Sequence, residues 1–275
     1  MAQTIFITGA SSGIGKATAL YFAAKGWNVA ATMRNPDKET ELTKRGNIKV
    51  LRLDVLDESS IKQAVGEVVQ AFGGIDVLFN NAGYGLAGPF EAISNEQIKR
   101  QFETNLFGVM NVTRTVLPYF RKKRNGLIIS TSSIGGRVTF PLFSLYHSTK
   151  WGLEGFMESL HNELRPFGIK VKIIEPGLIR TDFAGRSLEL VTSPEFKEYD
   201  AYVDVARKNL ESGDAMASPP EVVAAGVFKA CIDGKNKLRY PVGGRAPMLL
   251  FIRWLLPLNT FFGMIRGQVE KGFKG

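Results

Sequence analysis

TIFITGASSGIGKATALYFAAKG, residues 4–26, is the stretch that decides the fold. It opens with a short apolar run, Thr4–Thr8, of the kind that forms a strand buried on both faces. A glycine-rich turn from Gly9 to Gly15 follows, and Lys16–Lys25 has a helical composition that ends at Gly26. The order strand, glycine turn, helix predicts the first unit of a parallel sheet covered by helices.

The remainder of the chain repeats this alternation. Strands are predicted at residues 28–33, 48–53, 76–80, 127–131, 169–174 and 238–240, and helices at 57–72, 94–124, 145–165 and 219–232. The pattern predicts an α/β fold with a doubly wound parallel sheet and helices on both faces. Since 275 residues with 44% hydrophobic composition can bury one substantial core, we expect a single domain over residues 1–275.

Polar and glycine-rich clusters follow several of the predicted strands. They are Gly9–Gly15, Arg34, Asp54, Asn80–Gly83, Ser132-Ser133 and Pro176-Gly177. In a doubly wound sheet these positions share the carboxyl edge, where ligands bind. Glycines allow the backbone to approach a ligand closely, and the start of the next helix can then face a pyrophosphate. The glycine spacing is Gly-x-x-x-Gly-x-Gly, which differs from the commoner Gly-x-Gly-x-x-Gly.

Tyr146 and Lys150 are four residues apart on a predicted helix and therefore share one face. A tyrosine hydroxyl has a reference pKa of about 10, so it carries protons poorly near neutrality unless a cation stabilises its phenolate. Lys150 is placed to supply that cation. Taken alone, such a pair is more often a packed ring beside a solvated ammonium.

Together these motifs resemble the short-chain dehydrogenase/reductase family. The matching residues are Thr8–Gly15, Asp54, Asn80–Gly83, Asn105, Ser133, Tyr146, Lys150 and Pro176-Gly177. The resemblance implies a Rossmann-type oxidoreductase whose catalytic residues are Asn105, Ser133, Tyr146 and Lys150. Tyr146 would exchange a proton with the substrate oxygen, Lys150 would lower the pKa of Tyr146, and Ser133 would polarise the substrate. Asn105 would hold the long helix open around a water, while Ser132 is a rival to Ser133.

The resemblance also implies a nicotinamide cofactor. The residues expected to bind it are Gly9, Ser11, Ser12, Gly13, Ile14, Gly15, Arg34, Asp54, Val55, Asn81, Ala82, Gly83, Tyr146, Lys150, Pro176, Gly177, Ile179 and Thr181. An acid after the second strand would repel a 2′-phosphate, whereas an arginine would bind one. Met33 is followed by Arg34, and the first acid, Asp37, lies beyond Pro36. We therefore expect NADP(H), with NAD(H) less favoured, and the reductive direction that a reduced cofactor pool favours.

The loops expected to face the substrate are rich in apolar residues. They include Tyr84, Leu86, Phe140, Leu142, Phe143, Phe183, Leu188, Leu190, Val191, Phe196 and Tyr199, and the substrate loop spans about residues 185–215. This composition favours a lipophilic ketone, aldehyde or secondary alcohol. Several of the same residues could instead form the core or a dimer contact. The resemblance further implies a homodimer or homotetramer built on two long helices, where Gly152 and Gly155 would permit close approach.

The net charge of +9 is concentrated near the C-terminus, where residues 234–275 contain eight basic residues and one acid. Because the other 233 residues carry only +2, the charge does not indicate nucleic-acid binding. Within an apolar and basic extension at about residues 241–275, Ala246–Ile265 is interrupted by Arg253, Pro257 and Asn259 and should not cross a bilayer. It could cap the cleft, contact another subunit or lie on a membrane surface.

Two histidines and the single Cys231 predict no metal site, and one cysteine cannot form an intramolecular disulfide. With a strand beginning almost at Met1 there is no room for a secretory signal, so we expect a cytoplasmic protein that could lie peripherally on a membrane. Two other functions stay open. One is a regulator that binds NADP(H) without turnover, and the other is a membrane-surface protein that works through its C-terminal segment.

Overall fold

The computed structural model describes residues 2–181, 187–211 and 217–273. Its strands are β1 (Thr4–Ile7), β2 (Asn28–Met33), β3 (Ile48–Arg52), β4 (Val77–Asn80), β5 (Gly85–Ala87), β6 (Gly126–Thr131), β7 (Ile169–Pro176), β8 (Leu188–Leu190) and β9 (Arg239–Val242). Its α-helices are α1 (Gly13–Ala24), α2 (Glu58–Phe72), α3 (Asn95–Phe102), α4 (Gly108–Lys123), α5 (Ser144–Leu164), α6 (Asp200–Glu211), α7 (Pro220–Ile232), α8 (Ala246–Leu255) and α9 (Leu258–Val269).

Seven strands form one sheet in the order β3-β2-β1-β4-β6-β7-β9, and every pair in it is parallel. The strand order reverses between β1 and β4, which is the place where doubly wound sheets bind ligands. The prediction of a doubly wound parallel sheet is confirmed.

Helices cover both faces of the sheet, as the alternation of side chains along each strand requires. On β1, Phe6 packs in the same cluster as the apolar faces of α2, α4 and α5. Its neighbours Ile5 and Ile7 point the other way, into the cluster shared with α1 and α7. The sheet therefore lies between two apolar layers, and its carboxyl edge stays available for polar groups.

Helix ends follow the chemistry expected from the sequence. Asp57 caps α2 by accepting hydrogen bonds from the backbone N–H groups of Ser59 and Ser60, and Gly73 ends it in a left-handed conformation. Ser94 and Gln97 form the capping box of α3.

Several elements differ from the sequence-based predictions. The helix expected at 94–124 is divided into α3 and α4 by a π-helical turn, Glu103–Phe107. Helix α1 begins at Gly13, so the second half of the glycine-rich turn already belongs to it. The short parallel pair of β5 and β8 and the helix α6 were not predicted. Their segments are brief or polar, and a three-residue pair joined across about a hundred residues leaves no local pattern.

The C-terminal extension folds into α8 and α9 against the main domain. Ala246 and Leu250 of α8 and Phe261, Ile265 and Val269 of α9 form a third apolar cluster. Residues on the segment that precedes α5 (Ile134, Val138, Phe140, Leu142) and on α6 (Tyr202, Ala206, Leu210) complete this cluster. Among the helices of the described ranges, none has the length and hydropathy needed to cross a membrane.

Candidate active site

Two glycines of the turn after β1, Gly9 and Gly15, stand where a side chain would collide with neighbouring atoms. Gly9 has φ +67°, and a Cβ there would lie 2.8 Å from the Ala82 Cα. Gly15 leaves no room for a side chain because a Cβ would meet the Gly9 backbone and lie 2.7 Å from the Asn81 Nδ2. The turn therefore brings the amino end of α1 against the segment after β4, at a distance that leaves no room for a side chain on either glycine.

Asn81 and Thr8 hold these two segments together. Asn81 Nδ2 donates to the carbonyl oxygens of Gly9 at 3.1 Å and Thr8 at 3.3 Å. Thr8 Oγ1 accepts from the backbone N–H groups of Asn81 at 2.9 Å and Ala82 at 3.1 Å. Thr131 Oγ1, at the end of β6, donates to Asn81 Oδ1 at 3.2 Å. Asn81 thus ties the carboxyl ends of β1, β4 and β6 into one edge.

The other predicted cofactor residues lie around this edge. Thr181 is next to the turn, since a Cβ on Gly13 would lie 3.4 Å from it. Pro176 ends β7, and Gly177 donates its N–H to the Val242 carbonyl at 3.0 Å. Ile179 pairs with Ser218. The remaining predicted residues on this side are Ser11 and Ser12 at the start of α1, Ile14 in its first turn, and Asp54 and Val55 after β3.

Arg34, directly after β2, is exposed and has no ion pair or hydrogen bond among the described residues. The nearest buried acid in sequence, Glu39, is already occupied. Its carboxylate accepts hydrogen bonds from the backbone N–H groups of Glu41 and Leu42 and from Lys16 Nζ at 3.2 Å. Beyond β2, the Arg34 guanidinium is therefore available to bind a ligand, whereas the buried Glu39 carboxylate is not.

Tyr146 is in the first turn of α5, and the nearby Ser133 hydroxyl acts to lower the pKa of its phenol. Ser133 follows β6 and also accepts a hydrogen bond from the Gly135 N–H at 3.0 Å. Ser133 therefore caps the loop after β6 and also acts on Tyr146. Its rival, Ser132, is buried beside Glu154 and acts to lower the pKa of that carboxyl.

Lys150 lies one turn after Tyr146 and is buried. Its Nζ is 5.7 Å from the centroid of the Tyr146 ring and donates to the Thr131 carbonyl at 2.8 Å. A Cβ on Gly83 would be 4.0 Å from the same Nζ. The ammonium therefore sits between the Tyr146 ring and the glycine of the segment after β4.

Burial dominates the protonation of this pair. It raises the pKa of Tyr146 to about 12, with the hydrogen bond to Ser133 acting in the opposite direction. It lowers the pKa of Lys150 to about 8, and the negative charge of Glu154 counteracts this shift. The pKa of Tyr146 lies above its ordinary value because desolvation of the phenolate outweighs the effect of Ser133. Tyr146 is a protonated phenol at neutral pH.

Asn105 lies in the π-helical turn between α3 and α4 and is buried. Its Oδ1 accepts from the Tyr84 N–H at 3.0 Å, and its Nδ2 donates to the Tyr84 carbonyl at 2.8 Å and to Thr149 Oγ1 at 3.3 Å. The opened helix that the resemblance implies is present, and here its amide fixes the Tyr84 backbone and contacts α5. Thr8, Thr131 and Thr149 are positioning residues that sequence analysis did not single out, although Thr8 belongs to the quoted motif.

A charged cluster lies behind Lys150 on the same helix. Glu154 Oε2 accepts from Arg239 Nε at 2.9 Å, and Arg239 also pairs with Glu158. Glu175, at the end of β7, is fully buried and lies 3.5 Å from Arg137 Nη1 and 3.9 Å from Arg239 Nε. Burial, together with the charge of Glu154, raises the pKa of Glu175 to about 7. Burial also raises the pKa of Glu154, against the effects of Ser132 and Arg239.

The side of the cleft expected to face the substrate combines core and exposed residues. Leu86 is completely buried in a cluster with Ile93 and Leu145 and cannot contact a ligand, whereas Tyr84 and Val191 pack at its margin. Phe143 contacts the Tyr146 ring at a centroid distance of 6.3 Å. Leu190 and Tyr199 are exposed, and the predicted position Phe183 lies outside the described residues.

Side-chain and backbone hydrogen bonds hold the segments on this side of the cleft. Glu189 of β8 accepts hydrogen bonds from Gln97 and Arg100 of α3, and the Arg100 guanidinium lies 5.6 Å from the Tyr84 ring. Leu142 has φ +69° and accepts a hydrogen bond from the Gly88 N–H at 2.8 Å. A cavity of about 480 Å³ lies between residues 139–141 and α9. The C-terminal helices therefore border the loop that leads into Tyr146.

Both histidines have structural surroundings. His147 is buried against the Phe140 and Phe143 rings, its Nδ1 accepts from the Phe140 N–H at 3.4 Å, and burial lowers its pKa to about 4. His161 Nδ1 lies 3.1 Å from the Val171 carbonyl oxygen. Within the part of the chain that the structure describes, no group of three or more His, Cys, Asp or Glu is arranged to hold a metal.

Comparison with known proteins agrees with this geometry. Residues 3–190 match the family model described as short chain dehydrogenase. A 3-ketodihydrosphingosine reductase from Bacteroides thetaiotaomicron is 36% identical over 88% of this chain and 88% of its own length. A crystal structure of a short-chain dehydrogenase from Streptomyces avermitilis is 32% identical with a TM-score of 0.82, covering 99% of this chain and 98% of that one. A structure of ElxO with NADP bound is 27% identical with a TM-score of 0.75, covering 90% and 100%.

The family's nicotinamide cofactor fits this cleft. The Ser12 side chain does not cap the amino end of α1, so the first N–H groups of that helix can face a pyrophosphate, and the buried ammonium of Lys150 lies against Gly83, where a ribose could reach it. The matched segment also contains Ser133, Tyr146 and Lys150, with the Lys150 Nζ 5.7 Å from the centroid of the Tyr146 ring. On these grounds the chain belongs to the short-chain dehydrogenase family of oxidoreductases.

Proposed function

We propose that this protein is an NADP(H)-dependent oxidoreductase that interconverts a lipophilic ketone or aldehyde and the corresponding alcohol, with Tyr146 as the acid and base. The observation that carries the proposal is the Tyr146 ring 5.7 Å from the buried Lys150 ammonium, with Ser133 near enough to the phenol to act on its pKa. In this arrangement a proton donor and a second hydrogen-bonding hydroxyl converge on one point, where a substrate oxygen can sit.

The protonation states favour the reductive direction. When bound, the nicotinamide ring donates the hydride to the carbonyl carbon or accepts it from the alcohol carbon. Because the pKa of Tyr146 is about 12, its hydroxyl holds a proton at neutral pH and can transfer it to the developing alkoxide oxygen. Ser133 stabilises the negative charge on that oxygen through a hydrogen bond. Lys150, with a pKa of about 8, carries a positive charge at neutral pH that stabilises the tyrosinate left behind.

NADP(H) is favoured over NAD(H) by the charges beyond β2. Arg34 is exposed there without an ion pair among the described residues, whereas the buried Glu39 carboxylate is held by Lys16 and two backbone N–H groups. A guanidinium can bind a 2′-phosphate through charge-assisted hydrogen bonds, and no available buried acid opposes that phosphate. Ser11, exposed on the adjoining turn, is a second candidate ligand for the phosphate.

A lipophilic substrate is supported by the residues around Tyr146. Phe143 contacts the Tyr146 ring, and Tyr84 and Val191 border the same region. The relative from Bacteroides thetaiotaomicron is named 3-ketodihydrosphingosine reductase, and a reductase of a keto compound is the class of enzyme proposed here.

We also propose a homodimer or homotetramer that uses the outer faces of α4 and α5. Tyr119 and Trp151 are large exposed side chains on these helices, and a Cβ on Gly155 would face open space. Gly152 serves a different purpose, because Leu106 of the same chain fills the space beside it at 3.1 Å. Light scattering of the purified protein would measure the assembly directly, and a monomer at micromolar concentration would contradict it.

The decisive experiment measures NADPH oxidation with steroid, retinoid, fatty and small aromatic carbonyls, using wild-type protein, Tyr146→Phe and the control Tyr119→Phe. We expect Tyr146→Phe to lower kcat by about 10²–10⁴-fold while NADPH binding stays unchanged, since only the transferable proton is removed. Tyr119, exposed on α4, should be replaceable without loss. Tight NADPH binding without turnover of any carbonyl would favour a non-catalytic regulator. A fully active Tyr146→Phe enzyme would exclude the proposed acid.

A further inference from the structure

The outer side of α8 and the first residue of α9 form an exposed apolar ridge. We define the ridge as Met248, Phe251, Trp254, Leu255 and Leu258. Trp254 is 74% exposed, Phe251 58% and Leu255 59%, and the Phe251 and Trp254 rings contact each other at a centroid distance of 6.0 Å. The spacing of Met248, Phe251 and Leu255 places them on one side of a helix. Large apolar residues clustered in this way mark an interaction surface.

The ridge is held firmly by the opposite side of the same two helices. Ala246 and Leu250 of α8 and Phe261 of α9 are buried in the cluster that joins the extension to the main domain. The Arg253 guanidinium lies 5.7 Å from the Phe261 ring and adds a contact between the helices. Because the inner side is already packed, the ridge cannot fold inward to hide its apolar surface.

The net charge of the extension that bears the ridge favours an anionic partner. Residues 241–273 contain four basic residues, Arg245, Arg253, Arg266 and Lys271, and a single acid, Glu270. Arg245 is exposed at the start of α8, and Arg266 is exposed on α9. A second copy of the same surface in a two-fold contact would bring like charges together, since the same patch is used twice. An anionic lipid headgroup is complementary to these cations.

We propose that α8 docks on the surface of an anionic phospholipid bilayer, with the ridge inserted among the lipid chains and the basic residues at the headgroups. Aromatic side chains such as Trp254 are suited to this boundary, and helices that combine an apolar side with arginines lie in the plane of the interface. The surface is separate from Tyr146 and Lys150, so docking does not depend on the catalytic proposal.

Co-sedimentation of the full-length protein with vesicles tests this proposal. One vesicle preparation contains phosphatidylcholine alone, and the other contains phosphatidylcholine with about a third phosphatidylserine. We expect binding to the anionic vesicles that weakens with salt, and little binding to the neutral ones. Phe251→Ala with Trp254→Ala should reduce anionic binding by about tenfold or more, because the buried apolar area is lost. Arg245→Gln with Arg266→Gln should remove the preference for anionic lipid.

A matched control is the pair Phe90→Ala with Ile232→Ala, which removes side chains that are 61% and 59% exposed at other places on the chain. This control should bind vesicles as the wild type does. Circular dichroism and NADPH binding verify that each variant is folded. Absence of binding to both vesicle types, or equal binding by the ridge variant and the wild type, would overturn the proposal. A ridge variant that loses a dimer by light scattering without any vesicle binding in the wild type would identify a second copy as the partner instead.

Discussion

The part of the chain up to residue 181 and the C-terminal extension at residues 241–273 place charged and apolar side chains in opposite ways. The charged residues that are buried among those described, including Lys150, Glu154 and Glu175, all precede residue 182. Of the eighteen large apolar residues exposed in the described ranges, seven lie between Met248 and Met264. The first region buries charged side chains, some of them beside the proposed site, whereas the second exposes large apolar ones. We relate this difference to the two proposals above, chemistry in the first region and attachment to a membrane in the second.

The largest expected effect tests whether the extension is part of the folded domain. Phe261 is completely buried, so Phe261→Ala should lower the free energy of unfolding by about 3–5 kcal/mol through lost burial and a cavity. Phe251→Ala, at an exposed position of the neighbouring helix, should change it by less than about 0.5 kcal/mol. Urea unfolding followed by circular dichroism measures both. If the main transition were the same in the two variants, the extension would unfold independently of the domain.

The second prediction concerns the joint between the two regions. Lys172 of β7 is buried and donates to Asp233 Oδ1 at 2.8 Å and to the Ala230 carbonyl at 2.6 Å. Tyr240 of β9 donates its hydroxyl to Asp233 Oδ2 at 2.7 Å. Asp233→Ala leaves the buried ammonium without its counter-ion and should cost about 3 kcal/mol. Glu58→Ala, which breaks the exposed pair with Lys62, should cost less than about 1 kcal/mol.

This effect has a defined pH dependence. Burial acts to raise the pKa of Asp233, but hydrogen bonds from Lys172, Tyr240 and the Lys235 N–H hold this pKa at about 2. A carboxyl whose pKa is lower in the folded state contributes stability above its unfolded pKa of about 3.8 and loses it as the pH falls toward 2. The free energies of wild-type and Asp233→Ala proteins should therefore converge between pH 4 and 2. A constant difference over that range would show that Asp233 acts through packing alone.

Part of the fold and part of the candidate site could be predicted from the sequence. The strands and the glycine turn were predictable because short runs such as Thr4–Ile7 and Gly9–Gly15 carry their own pattern of burial and backbone freedom. Ser133, Tyr146 and Lys150 were predicted as catalytic residues from the resemblance to the family, which rests on the spacing of the matching residues as well as on their type. The family model ends at residue 190, and the unpredicted α6, α8 and α9 all come after it.

What sequence did not predict depends on contacts between distant residues. The pairing of β5 with β8 joins Leu86 to Glu189, and no local periodicity marks either three-residue strand. The pKa of Tyr146 depends on how far the fold removes its hydroxyl from water, whereas the sequence shows only that a lysine is one turn away. The roles of Thr131 and Thr149 rest on hydrogen bonds to Lys150 and Asn105 that the fold brings together.

The third prediction tests whether Arg34, in the first region, determines the preference for NADPH over NADH. Arg34→Ala should lower kcat/KM for NADPH by about 10- to 100-fold and leave the value for NADH nearly unchanged, because only the phosphate loses a charge-assisted hydrogen bond. Arg45→Ala removes the same charge from an exposed position before the amino end of β3 and should alter neither value. Steady-state kinetics with both cofactors provides the measurement. Equal losses for NADPH and NADH would remove Arg34 from the phosphate site.

The smallest expected effect concerns the charges behind Lys150. Glu154 is buried on the same helix, and its charge counteracts the effect of burial, which lowers the pKa of Lys150 to about 8. Glu154→Gln keeps the shape and removes this charge, so the pKa of Lys150 should fall further. Since the reaction needs the charged ammonium, the alkaline limb of the kcat/KM profile should move to lower pH by up to about one unit.

Glu158→Gln is the matched control, because Glu158 also pairs with Arg239 but is exposed at the surface of α5. Arg137, Arg239 and the raised-pKa carboxyl of Glu175 face Glu154 as well, so a purely structural disturbance of this cluster would lower kcat at every pH. A shift of the alkaline limb in Glu154→Gln alone assigns the effect to the charge one turn from Lys150. The same shift in both variants, or in neither, would show that the charge of Glu154 does not reach the ammonium. In that case the buried acids of the first region stabilise the sheet edge without tuning its chemistry.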